Sequence, residues 1–160
     1  MVTKTSLSAV RTLLYLAHNA QGRILPPRRI AGALGESPTY LAKVARLLVK
    51  AGILRAEKGV KGGVQLSRPP AQITLLSVVE ACQGTIVGNY CQMGCPVETT
   101  CAYHQAAVEL QQAITGVLSR WSMAQLVNQP RPTGKLPEGF TCVLLDARRT
   151  KPEMKRRWRR

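Results

Sequence analysis

Apolar residues recur at helical spacing from Ser6 to Asn19, where Leu7, Val10, Leu13, Leu14 and Ala17 share one face, and this pattern predicts a first core helix. Pro26-Pro27 opens a second, short helix over Arg28 to Leu34, with Ile30, Ala31 and Leu34 inward and Gly35 closing it. Ser37 is placed as an N-cap, with Pro38 at the first helical position. The stripe Leu41, Val44, Leu47, Leu48 and Ala51 then predicts a helix that runs to Lys50 or Ala51, and Gly52 stops it. Two helices joined by the turn Gly35-Glu36-Ser37 form a helix-turn-helix pattern.

Next, Ile53 to Lys58 and Val64 to Ser67 have strand character and are joined by Gly59-Val60-Lys61-Gly62-Gly63. Three glycines there remove the penalty on positive φ and permit close backbone approach, so the pair is expected as a wing beside the helix-turn-helix. A nucleotide phosphate loop is the rival, and it lacks its Gly-Lys-Ser/Thr ending. Thr74 to Ala81 resumes a helix, and Cys82 after it is read as a packed thiol. From about Thr100 to Val127 a long stripe includes Tyr103, Ala106, Leu110, Ala113, Val117, Trp121 and Ala124. As one helix it would span roughly 40 Å, longer than a core of this size needs, so a homodimer is expected with this helix at the two-fold seam. Gly116 would mark a close crossing there, at a cost of about 1 kcal/mol relative to Ala.

The expected fold class is therefore mainly α with a small β-wing, a winged helix-turn-helix plus a long C-terminal dimerisation helix. Residues 1–82 are assigned to the winged helix-turn-helix, 83–104 to a cysteine-rich ligand loop, and 100–127 to the dimerisation helix. Residues 128–160 are assigned to a proline- and glycine-rich linker and a basic tail expected to be disordered without DNA. No apolar run approaches the ~20 residues of a membrane span. No basic-then-apolar leader opens the chain, so it is read as cytoplasmic, with no membrane partner.

Charge sharpens the picture. The net charge is +15, and its placement is uneven. Residues 1–70 carry twelve Lys or Arg against Glu36 and Glu57, residues 71–147 are net −2, and the last thirteen residues are net +7. Two basic blocks around a near-neutral middle are the footprint of a polyanion, and double-stranded DNA is the expected partner. With only seven aromatic residues, a single-strand binder built on stacking platforms is disfavoured. A recognition helix that begins at Ser37 places Ser37, Thr39, Tyr40 and Lys43 near base edges or phosphates. Arg28, Arg29 and Lys50 are the expected phosphate anchors, and Lys58 and Lys61 would lie over the adjacent minor groove.

Three of the five cysteines and one of the two histidines fall between Cys91 and His104. Cys91, Cys95, Cys101 and His104 are separated by three, five and two residues, which suits a short loop gathered around one soft metal centre. Buried structural thiols would follow a helical or strand period, whereas these lie beside Gly94 and Pro96 with no apolar periodicity. An odd number of cysteines in a reducing compartment points to metal or redox chemistry over a disulfide framework. A structural zinc on the same four residues, or a thiol-redox switch there, is the alternative. A thiol enzyme is not expected: no Cys-x-x-Cys pair occurs, and His18 and His104 are the only histidines.

Over roughly residues 6–127 the chain resembles the Rrf family of winged-helix transcriptional regulators, with its IscR-like and NsrR-like members. The resemblance is carried by Ser37-Pro38-Thr39-Tyr40-Leu41, by Lys58-Gly59-Val60-Lys61-Gly62-Gly63-Val64-Gln65-Leu66, and by the three cysteines ahead of the last helix. It implies a dimeric regulator, read as a repressor, whose DNA affinity depends on an iron-sulfur cluster, two-iron in preference to four-iron. In IscR-like members three cysteines and a histidine hold such a cluster, and Cys95, Cys101 and His104 follow that spacing. Three departures stand out. Three residues rather than about five separate Cys91 and Cys95. Leu7 occupies the position of an acidic ligand in NsrR-like members, which makes His104 the preferred fourth ligand, and Lys58 stands where family wings often carry arginine.

Overall fold

A computed structural model describes residues 3–20, 22–59, 62–86 and 99–129. Helix α1, Lys4–Asn19, starts two residues before the expected Ser6 because Thr3 and Ser6 close a capping box across its first turn. Helix α2, Pro27–Leu34, ends at Gly35 in the left-handed region, φ 68°. Helix α3, Pro38–Lys50, is capped by the Ser37 hydroxyl, which accepts from the Tyr40 N–H, and it stops before Gly52, also at φ 68°. Strands β1, Leu54–Glu57, and β2, Gly63–Leu66, pair antiparallel, with Leu54 opposite Leu66 and Glu57 opposite Gly63. A 3-10 turn, Pro70–Gln72, leads to α4, Leu75–Gln83, capped by Thr74. Cys82 thus lies inside the last turn of α4 rather than after it.

One core joins these elements. Leu13, Leu16, Ile30, Leu41, Val44, Leu48, Ile53 and Val78 are fully or almost fully buried within it. It does not stop at residue 82: Met123 is 1% exposed, and Leu126 and Val127 pack against the same cluster. Two wing glycines are required by space. A Cβ on Gly62 would strike the Glu57 carbonyl, and one on Gly63 the Leu25 carbonyl. The second clash reflects a bridge outside the hairpin, in which Leu25 N–H donates to Val64 O at 3.0 Å and Val64 N–H returns to Leu25 O at 2.9 Å. The wing is thereby tied to the segment that leads into α2.

The single helix expected over 100–127 is two helices, α5, Ala102–Arg120, and α6, Met123–Asn128. Trp121 between them is extended, at φ −95° and ψ 115°. Ser122 and Gln125 form a capping box that starts α6, and the Trp121 carbonyl accepts from Leu75 N–H at 2.8 Å. The apolar stripe continues through this break, so periodicity alone conceals it. At 19 residues α5 is roughly 28 Å long rather than 40 Å. A Cβ on Gly116 would meet nothing within 4 Å, so among the described residues no helix of the same protomer crosses there. Among the described residues no helix is long and apolar enough to cross a membrane. Cys91, Cys95, Lys61 and residues 130–160 lie outside the described residues.

Candidate nucleic-acid interface and metal-ligand segment

Helix α3 buries Leu41, Val44, Ala45 and Leu48 on one side. At 100° per residue this turns Thr39, Lys43, Arg46 and Lys50 to the opposite side, within about 60° of one another, and all four are exposed. Arg46 is the member that the sequence reading passed over, although it lies three residues after Lys43 and seven after Thr39. Ser37 is exposed at the amino end of the stripe while its oxygen caps the helix. Tyr40 is placed differently from Thr39 and Lys43. It is half-buried on the flank that faces α1, with its hydroxyl 3.4 Å from Thr5 Oγ1.

Between α3 and the wing lies an open groove of about 510 Å³, floored by Ala42, Ala45, Val49 and Val64 and edged by Arg46, Lys50 and Glu57. Lys58 is exposed at the end of β1, before Gly59 at φ 112°. Arg28 and Arg29 are exposed in the first turn of α2, which has no acidic residue. Cations there oppose the helix dipole, and the Arg29 and Ile30 N–H groups are already bonded to the Pro26 carbonyl, so phosphate binding at this turn would rest on the two guanidinium groups. The stripe, the α2 arginines and Lys58 therefore offer exposed positive charge and hydrogen-bond donors of the kind that phosphate oxygens accept. Lys61 is outside the described residues.

Of the four expected metal ligands, the described residues include Cys101 and His104. Cys101 is the N-cap of α5, its thiol exposed and making no capping bond. His104 follows one turn later, half-buried, with Nδ1 enclosed and without a hydrogen-bond partner. A buried ring nitrogen left unmatched costs about 1–3 kcal/mol, a cost that a metal bond to Nδ1 would remove. That orphaned nitrogen beside an exposed thiol fits a soft metal or an iron-sulfur cluster. Among the described residues no three His, Cys, Asp or Glu side chains gather as a ligand group; Cys91 and Cys95 are not among them. Cys82 has the surroundings of a packed thiol. Burial pushes it up from 9.0 to about 11, and its S–H points to the Thr5 carbonyl at 3.9 Å.

Comparison with known proteins agrees with this architecture. Residues 2–129 match the family model described as "Rrf2: Iron-dependent Transcriptional regulator". Protein aau3 of Rhizobium meliloti is 32% identical over 130 residues, covering 79% of this chain and 84% of that protein. Two solved structures share the fold. CymR, the global cysteine regulator of B. subtilis, has a TM-score of 0.64 at 19% identity and covers 80% of this chain and 96% of its own. T. potens IscR has a TM-score of 0.63 at 20% identity and covers 86% and 93%. A family match over most of the chain, a two-stranded wing beside α2 and α3, and a basic outward stripe on α3 lead to one assignment: the chain belongs to the Rrf2 family of DNA-binding, winged-helix transcriptional regulators.

Proposed function

We propose that this regulator is a homodimeric repressor whose grip on operator DNA is set by an iron-sulfur cluster, two-iron in preference to four-iron, held by Cys91, Cys95, Cys101 and His104. The observation that carries the reading is His104 Nδ1, enclosed and unpartnered one turn after the exposed thiol of Cys101. The iron dependence in the description of the matching family supports it. When bound, the cluster supplies a redox-active, exchangeable centre whose histidine ligation responds to protonation.

The chain's own residues provide the coupling. Cys101 caps α5 and His104 lies in its first turn, whereas Cys91 and Cys95 precede them in the sequence. Drawing the two pairs together fixes how α5 stands on α4, its contact within the winged domain. Tyr103, Leu110 and Val117 recur every seven residues along α5 and are 68%, 55% and 46% exposed, followed by Trp121 at 46%. Such a stripe, exposed in one protomer, suits a two-fold seam with a second copy. The angle of α5 then sets the separation of the two α3 helices, and hence their fit to successive major grooves.

The likeness to CymR, a cysteine regulator, favours a second reading in which the same thiols act as a redox switch or hold zinc. Anaerobic reconstitution with iron and sulfide, followed by visible absorption and assays for iron, sulfide and zinc, distinguishes the two. Stoichiometric iron and sulfide with a coloured protein, lost in Cys101→Ser and His104→Ala, is the expected result. Zinc without sulfide, or a colourless protein, would leave the second reading.

A further inference from the structure

The turn between α2 and α3 contains Glu36, one of only two acidic residues in the first 70. Its carboxylate is turned inward, with the side chain 13% exposed, instead of standing in solvent on a basic face. Arg11 of α1 meets it with Nη1 at 3.2 Å from Oε1, and the fully enclosed Ser8 hydroxyl donates to Oε2. The other arm of Arg11, Nη2, donates to the Leu34 carbonyl at 3.1 Å. Leu34 is the last residue of α2, and Glu36 directly precedes the Ser37 cap of α3. One guanidinium therefore holds both sides of the turn, and it does so with its own Nε enclosed and unpartnered.

This arrangement is costly as a source of stability. Charges taken out of water recover their desolvation penalty only when every donor is matched, and apolar side chains of similar size often serve the fold as well or better. What a pinned, directional pair provides and an apolar contact does not is a fixed angle. We propose that Arg11, Glu36 and Ser8 form a clasp of positioning residues that sets the pose of α3 against α1, and thereby the selectivity of base reading, without themselves touching DNA. The inference rests on the DNA-binding function of the family and is independent of any cluster. Tyr40 closes the same flank one turn further on, its hydroxyl facing Thr5 of α1.

The test uses the full chain, prepared anaerobically in one metal state. The probes are a duplex that the wild-type protein selects from a random-sequence pool and a non-specific poly(dI-dC) duplex. Glu36→Gln keeps the size and the acceptor for Ser8 but removes the charge, whereas the pair Arg11→Met with Glu36→Leu replaces the clasp by apolar packing. The ratio of selected to non-specific affinity is expected to fall about tenfold in both, the scale of one lost base contact. Non-specific affinity and its salt dependence are expected to stay near wild type in both; the thermal midpoint is expected to stay near wild type in the double variant and to fall in Glu36→Gln, which leaves the Arg11 guanidinium without its counter-charge. An unchanged ratio in Glu36→Gln would overturn the proposal. So would a parallel fall of both affinities together with the midpoint, the signature of a merely structural contact. If the double variant does not fold, Glu36→Gln alone decides.

Discussion

The backbone N–H of Met123 donates to the Ile73 carbonyl at 2.7 Å, and this bond turns the chain at the end of α5. It returns α6 to the core that α1 and α4 share while leaving α5 outside, with none of its residues buried. The winged domain is thereby finished by a segment beyond the cysteine region, and α5, which rests on α4, keeps an exposed apolar stripe.

That stripe predicts a dimer that a single charge breaks. Leu110→Glu, at an exposed site, should change protomer stability by no more than about 0.5 kcal/mol. It should convert the dimer to a monomer in sedimentation, and affinity for a two-half-site duplex should fall by about a hundredfold or more as the second reading head is lost. A dimer that persists in Leu110→Glu together with Val117→Glu would place the seam elsewhere.

The outward stripe of α3 gives Arg46 the same standing as Lys43 and Lys50. With about six phosphate contacts per binding unit, log affinity should fall against log salt with a slope near −5. Arg46→Ala should weaken binding and, if its partner is a phosphate, reduce the steepness of that slope by about 1. An unchanged affinity would remove Arg46 from the interface.

Cys82 predicts an alkaline limb in stability. The folded thiol is raised from 9.0 to about 11 by burial, so the folded state holds this proton more tightly than the unfolded chain. The contribution is fully present below pH about 9 and is lost as pH rises towards about 11. Denaturant midpoints measured across that window should fall less steeply in Cys82→Ala than in wild type. The same burial should make Cys82 slower to alkylate than exposed Cys101.

Local chemistry explains what could be read from the chain. Ser37 with Pro38 starts α3, Gly35 and Gly52 occupy left-handed positions, and Thr74 caps α4, all through contacts within a few residues. The pairing of Leu25 with Val64 and the clasp of Arg11 on Glu36 join residues 39 and 25 positions apart, and no periodicity encodes them. The break at Trp121 had a local signal in Ser122 and Gln125, but the apolar period running through it was the louder one. In the site, the exposure of Arg28, Arg29, Thr39, Lys43 and Lys50 follows the helical period, and Lys58 is exposed just past the end of β1. Tyr40 lies on a flank, where its rotation toward α1 depends on tertiary packing. Cys101 and His104 were legible as a spacing, whereas the enclosure of Nδ1 is a tertiary feature that no spacing encodes.

The central claim is tested most directly by measuring affinity for the selected duplex at fixed salt with three anaerobic preparations: reconstituted protein, the same protein after chelation of its iron, and Cys101→Ser. The account predicts a difference of about tenfold or more between the first preparation and the other two, which should agree with each other. Equal affinity in all three would contradict it.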